Sequence, residues 1–386
     1  MKKSIFRILL IINYPLLIIN YSSAQDPSRL RISLLTCSPG EELYSTFGHS
    51  AYRVVDSNSL TDIVYNYGTF NFDDEGFYLK FIRGKLAYYV SIENFADFKK
   101  GYQSDNRGII EQVLNLSPPE KLSIRNFLTE NLKEENKYYK YDFFLDNCTT
   151  RLRDILEKYH DSDRGVKPVM PAGSRFRNAI HEYLNKNGKQ WSKLGIDILL
   201  GQPCDAVMTT RQMQFLPENL MKSLDSSNTN HQLILLKQDL YPFQALNEKN
   251  PLFTPFVVFS ILLLTIVAMG FIRHNFARAF LYGFDGLLFF LTGALGILLI
   301  LMWTCTDHSM CKNNFNLLWA WPTHFIMAFF VHRKKQWVKK YFLVTAILLA
   351  LVLLSWSFLP QQMNPGLIPI VLIIVYRSIL NSLSTP

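Results

Sequence analysis

Apolar and polar positions divide the chain in two. From Gln25 to about Leu252 short apolar runs alternate with polar ones, and from Phe253 onward long apolar runs dominate. In the first part, Arg31–Thr36 and Ser50–Val55 are rich in β-branched and aromatic residues and read as strands. Asp62–Tyr67 reads as a third, with Ile63, Tyr65 and Tyr67 alternating against Val64 and Asn66. Pro118–Asn136 predicts a helix, because Leu122, Ile124, Phe127 and Leu132 recur at helical spacing. Asn147–Tyr159 predicts a second helix, with Leu152, Ile155, Leu156 and Tyr159 on one face, and Phe176–Asn185 a third. Ser223–His231 is polar and reads as a surface loop. Asp239–Asn250 reads as a tether to the first of the long apolar runs.

The second part predicts about five membrane segments, near 253–272, 284–303, 317–332, 341–359 and 366–384, since roughly 20 apolar residues cross a bilayer core of about 30 Å. The third is short and holds Pro322 and His324. The last is interrupted by Pro365 and Pro369, a pattern that also suits a re-entrant segment. At the other end, Lys2, Lys3 and Arg7 precede an apolar core, Ile8–Ile19, and Ser22 and Ala24 form a small-residue cleavage site. The expected organisation is a signal peptide over 1–24, an extracytoplasmic domain over 25–250 and a membrane domain over 251–386. An uncleaved N-terminal anchor is the alternative to the signal peptide, and it sends the same domain across the membrane.

The net charge of +9 changes this picture little. Arg273 and Arg278 flank one apolar run, and Arg333, Lys334, Lys335, Lys339 and Lys340 lie between two others. Such clusters mark cytoplasmic loops, so the charge reports topology and no nucleic-acid role is assigned. Five cysteines make an odd count. Cys305 and Cys311 share one outer loop and are candidates to pair, as are Cys37 and Cys204. Cys148 is then left over, and an unpaired thiol in an oxidising compartment suggests chemical work.

Cys148 sits in Asp146-Asn147-Cys148-Thr149-Thr150, where an aromatic run meets a helix start. A thiol in the first helical turn feels the positive end of the macrodipole, which favours the nucleophilic thiolate. Free first-turn N–H groups there can receive an oxyanion. The plain alternative is a buried small hydrophobe with Asn147 merely capping the helix. Export, the helix start and an upstream base weigh against it. That base is His49, after Gly48 and before the second strand. Asn66 is the choice to orient its imidazole, with Asp73 and Asp74 as alternatives. Asn147, Thr149, Arg151, Asp307 and His308 are candidate substrate or oxyanion contacts. Arg151 and Asp154 also stand at a spacing that lets them pair, and a polar outer loop accounts equally well for Asp307 and His308. Arg53 and Arg107 could meet a phosphate or simply be solvated. No His/Cys/Asp cluster in the soluble part has metal-site spacing, and no cofactor is expected.

The order of histidine, strand, polar residue and helical cysteine resembles circularly permuted papain-like enzymes of the NlpC/P60 and lecithin:retinol acyltransferase kind. The closer resemblance is to the Lnb family with its N-terminal periplasmic domain. It is carried by LLTCSPGEELYSTFGHSAYRV (Leu34–Val54), VYNYGTFNFDD (Val64–Asp74), FLDNCTTRLRDIL (Phe144–Leu156) and LLGQPCDAVMTTRQMQFLPENL (Leu199–Leu220). NLLWAWPTH (Asn316–His324) is similar to the membrane part of its Bacteroidota-type members.

The resemblance implies an α+β, permuted papain-like domain followed by a helical membrane bundle. It implies lipoprotein N-acylation, with Cys148 carrying the acyl group as a thioester and His49 as base. The implied partners are diacylated lipoproteins, a phospholipid or lipoprotein acyl donor, and the inner membrane, with the catalytic domain on the periplasmic side. The rival readings are a cell-wall peptidase or amidase with the same dyad, and a catalytically silent binding protein.

Overall fold

The computed structural model describes residues 26–160, 167–226, 232–242 and 251–383. The expected signal segment, 1–24, lies outside the described residues, as do 227–231 of the expected loop and 243–250 of the expected tether. In chain order the extracytoplasmic part runs β1 (Leu30–Cys37), β2 (His49–Asp56), β3 (Thr61–Thr69), α1 (Phe77–Ile82), β4 (Ala87–Asn94), α2 (Phe95–Ser104) and β5 (Ile109–Leu114). It continues with α3 (Pro118–Asn131), β6 (Tyr138–Lys140), α4 (Cys148–Tyr159), α5 (Phe176–Lys186), α6 (Gln190–Leu199), α7 (Pro217–Asp225) and β7 (Ile234–Tyr241).

Among the described residues the strands form one antiparallel sheet in the order β6-β4-β3-β2-β1-β5-β7. With its helices this makes an α+β domain. All of β1 except Arg31 is buried, because both faces of the central sheet are covered. On one face Ile32, Leu34, Tyr52 and Tyr65 meet Ile124 and Leu128 of α3, Leu152 of α4 and Leu220 of α7. On the other, Leu35, Ala51 and Val64 meet Phe98 of α2. The expected tether from Asp239 is partly sheet instead: Asp239 and Tyr241 pair with Ile110 and Ile109 at the end of β7.

The second part runs α8 (Pro255–Phe271), α9 (Asn275–Thr304), α10 (Thr323–Met327), α11 (Gln336–Ser355) and α12 (Ile368–Leu383). Among the described residues three stretches are long and apolar enough to cross a membrane: Asn275–Thr304, Gln336–Phe358 and Pro365–Leu383. α8 is apolar but shorter, at 17 residues. The helix expected over 317–332 is corrected. That segment is a 3-10 turn at Phe315–Leu318, the five-residue α10 and further turns. Pro322 has no N–H to continue a helix, and the indole N–H of Trp319 turns back to Asn316 Oδ1 at 3.0 Å. The broken segment lies flush on α9, where a Cβ at Gly293 would overlap the backbone of Phe325.

A saturated polar joint ties the two parts together. Arg177 of α5 is fully buried and donates to Asp197 Oδ1 at 2.9 Å and to Asp205 Oδ1 and Oδ2 at 2.9 and 3.0 Å. Its remaining N–H reach goes to the carbonyls of Leu200 and Gly201, at 3.1 and 3.0 Å. From the membrane part, Asn364 Nδ2 donates to Asp197 Oδ2 at 2.8 Å and Gln361 Nε2 to Leu200 O at 3.0 Å. Asn314 Nδ2 donates to Ile198 O at 2.8 Å. Buried charges are tolerable when paired and hydrogen-bonded in this way. The joint holds the outer loop, residues 305–316, against the face of the domain that carries Cys148.

Candidate functional site

The start of α4 is built by its own sequence. Asn147 caps it: Oδ1 accepts from Thr150 N at 2.9 Å, and Thr150 Oγ1 accepts from Asn147 N at 2.8 Å. Asn147 Nδ2 donates to the carbonyls of Phe143 and Phe215, at 2.7 and 2.9 Å. The helix is docked on β2 by Tyr52 Oη donating to Leu152 O at 2.8 Å and by Thr149 Oγ1 donating to Ser50 Oγ at 3.1 Å. Cys148 is therefore presented at a fixed helix start beside His49, the first residue of β2.

The imidazole of His49 stands close enough to the Cys148 thiol for each group to shift the ionisation of the other. Its Nε2 lies 3.1 Å from Asn66 Oδ1, and an amide oxygen can only accept. The Nε2–H tautomer follows, leaving Nδ1 as the ring nitrogen for the sulfur. The amide of Asn66 is itself oriented by Glu93, whose Oε1 accepts from Nδ2 at 2.8 Å. Ser91 faces Asn66 across the β3–β4 pair, and Glu93, two residues further, is the diagonal neighbour. A bulge between Asn66 and Thr69 bends β3 at this point. Gly68 there has φ of 90°, a conformation that favours glycine, and a side chain would meet Tyr141 and Cys148.

Electrostatics follow the geometry. Burial opposes ionisation of the Cys148 thiol. The His49 charge and hydrogen bond, the Ser50 N–H and the Thr149 hydroxyl outweigh it and bring the pKa down to about 7. Burial likewise opposes the His49 charge, but the Cys148 thiolate and the Asn66 hydrogen bond raise its pKa overall. Each partner holds the other charged. Cys37, opposite His49 in the β1–β2 register, goes the other way: burial pushes it up to about 12.

The dyad opens into a cavity of about 910 Å³ whose walls include Phe47, Phe70, Phe81, Tyr88, Phe143 and Phe215. Asp307 and His308 from the membrane part's outer loop line it too. Asp307 pairs with Lys140 at 2.8 Å, and His308 Nε2 lies 3.1 Å from Ile82 O. Tyr139 Oη is buried next to Gly68 and has no hydrogen-bond partner among the described residues.

Several expectations change. The side-chain donors of Asn147 are spent on the Phe143 and Phe215 carbonyls, so the residue positions the helix and does not face an oxyanion. Arg151 does not pair with Asp154. It holds Asp146 at 2.7 and 2.8 Å and lies over the Tyr139 ring, while Asp154 takes Arg153 and Arg211. Asp74 pairs with Lys80, and Asp73 is exposed in the turn before α1, so neither orients His49. Arg53 is no phosphate site, being buried over Phe95 with Asp62 and Glu111. Arg107 donates to Ser38 O at 3.0 and 2.9 Å and also lines the cavity. Neither candidate cysteine pair is joined, and all five cysteines are free. Cys37 packs with α2, whereas Cys204 shares a core with Cys311, and Cys305 is exposed. Glu93 and Tyr139 were missed, because strand pairing and burial expose their roles. Among the described residues no group of three or more metal-ligating side chains is placed to hold an ion.

Fold and site thus define a membrane protein whose extracytoplasmic α+β domain carries a cysteine–histidine cleft. Residues 19–172 match the Lnb N-terminal periplasmic domain, and residues 247–385 match the Lnb transmembrane domain. The chain belongs to the Lnb family, whose role is of the lipoprotein N-acyltransferase type. No curated protein and no solved structure matches it.

Proposed function

We propose that this protein is a thiol-dependent lipoprotein N-acyltransferase of the inner membrane, acting on its periplasmic side. The observation that carries the reading is the line Cys148–His49–Asn66–Glu93 at an aromatic cavity walled in part by the membrane domain. A papain-like histidine and asparagine pair has this arrangement, read in permuted order. A cell-wall hydrolase has no need of a membrane loop in its site wall.

The Cys148 thiolate attacks the carbonyl of a glycerolipid ester. The oxyanion forms near the N–H groups of Cys148 and Thr149 at the start of α4 and the unpartnered Tyr139 hydroxyl. The intermediate collapses, the glycerol oxygen leaves with the proton held by His49, and an acyl thioester remains on Cys148. The α-amino group of a lipoprotein's N-terminal cysteine then attacks the thioester. His49 takes its proton, the amide forms and the thiolate leaves, restoring the starting pair. Asn66 holds the imidazole in register, and Glu93 holds Asn66. The apolar cavity walls favour amine over water as acceptor.

Cys148→Ala in cells tests the reading through the mass of a lipoprotein's N-terminal peptide. Loss of the N-acyl group with normal membrane localisation is expected. An unchanged mass contradicts the proposal, and altered muropeptides would instead favour the hydrolase. A labelled phospholipid supplied to the wild type identifies the donor: label on the α-amine marks phospholipid, and an unlabelled N-acyl product with a lyso-lipoprotein marks transfer within the lipoprotein.

A further inference from the structure

The helix α1 turns Phe77 inward and leaves Tyr78, Leu79, Phe81 and Ile82 between 51 and 77% exposed, with Phe72 beside them at 66%. A contiguous apolar surface of this kind marks an interaction site. Its location identifies the partner. Asp307 N donates to Arg83 O, at the end of α1, at 3.0 Å, and His308 Nε2 lies 3.2 Å from Phe81 O. Asp307 comes shortly after Thr304, the last residue of α9. In the final turns of α9 Ile297, Leu298, Ile300 and Leu301 are exposed. The outward apolar flank of a membrane-spanning helix therefore continues directly into α1.

We infer that α1 and Phe72 insert into the outer leaflet of the membrane that α9 crosses, with phospholipid acyl chains as the partner. Aromatic and aliphatic side chains at this level suit the bilayer interface. The charge around the patch is balanced: Lys80, Arg83 and Lys85 stand against Asp73, Asp74 and Glu75. Hydrocarbon burial rather than headgroup charge is the attraction, so zwitterionic lipid suffices. Phe81 and Gly84 also line the cavity of Cys148. On the acyltransferase reading above, the inserted helix places the cavity mouth at the bilayer edge, and an acyl chain reaches the thiol without crossing water. The insertion itself does not depend on that reading.

The test places a photoreactive benzoylphenylalanine at Tyr78, Phe72 or Leu60 in the full chain, in phosphatidylcholine nanodiscs. Leu60, 90% exposed in the β2–β3 turn at the end of β2 away from His49, is the control. Phospholipid adducts, read by mass, are expected at 78 and 72 and not at 60. A probe at 78 as free of lipid as one at 60 overturns the inference, and so does a protein adduct in place of lipid. Tyr78→Asp with Leu79→Asp should cut the adduct at 72 at least fivefold, and unchanged crosslinking there also counts against insertion. In that variant N-acylation should fall in step, and full N-acylation with the adduct lost would overturn the entrance role alone. Cys148→Ala leaves the crosslinks unchanged, which separates failure of the chemistry from failure of the insertion.

Discussion

Two polar clusters have opposite designs. Around Arg177 every strong group has a fixed partner: two carboxylates, two carbonyls and amide side chains from the membrane part. Around Cys148 the polar groups form a line with one end left open. Glu93 holds Asn66 and Asn66 holds His49, but the sulfur faces a cavity. A saturated cluster resists rearrangement and a line with a free end can react, so the first is a joint and the second a site. The same contrast separates two neighbouring thiols. Cys37, sealed by burial, is pushed up to about 12, whereas Cys148, held by His49, comes down to about 7.

The comparison can be broken from either side. Arg177→Ala strands Asp197 and Asp205 as buried, underpaired charges, and the expected loss is about 3–5 kcal/mol of stability. Thermal and denaturant unfolding of the full chain in detergent measure it, and a loss below about 1 kcal/mol would show that the joint is not a joint. His49→Ala should do the reverse, leaving the unfolding midpoint close to wild type while slowing N-acylation by about 10²–10⁴-fold. Tyr139→Phe should slow acyl transfer by about 10²-fold if its hydroxyl serves the oxyanion, with the thiol's titration unmoved. A fall in stability without a fall in rate would make Tyr139 a packing residue.

The pH dependence sharpens the contrast between the thiols. A depressed thiol pKa means that Cys148 is largely thiolate above about 7, whereas an ordinary thiol ionises near 9. Alkylation of the Cys148 peptide, followed by mass, should therefore rise through a midpoint near 7 and plateau before pH 9. In His49→Ala the midpoint moves upward, because the loss of the His49 charge leaves desolvation unopposed. Cys37 should stay unmodified across this window. Glu93→Gln carries the smallest expected effect, roughly a few-fold to tenfold in rate, since it acts on His49 only through Asn66. An effect as large as that of His49→Ala would mean that Glu93 has its own contact with substrate.

The range of each interaction decided which features were legible in the sequence. Cys148 at a helix start is local: Asn147 and Thr150 form the cap three residues apart, and both are visible in DNCTT. His49 and Asn66 were legible because each stands on a strand with clear alternation. Glu93 was not, because its role depends on β3 pairing with β4 in a register shifted by a bulge at Gly68. The cysteine pairs failed for a similar reason, since Cys204 and Cys311 come together only when the outer loop folds onto the soluble domain. The helix expected over 317–332 failed because hydropathy counts apolar residues and does not register that Asn316, Trp319 and Pro322 turn the chain back on itself.

The most direct test of the central claim is to trap the acyl-enzyme. The purified full chain in lipid is incubated with a diacylated donor and without an acceptor amine, and the peptide containing Cys148 is weighed. A fatty-acyl increment on Cys148 is expected, one that neutral hydroxylamine removes and that is absent from His49→Ala. N-acylation that proceeds with no acyl group ever found on Cys148, or an acyl group on another residue, would contradict it.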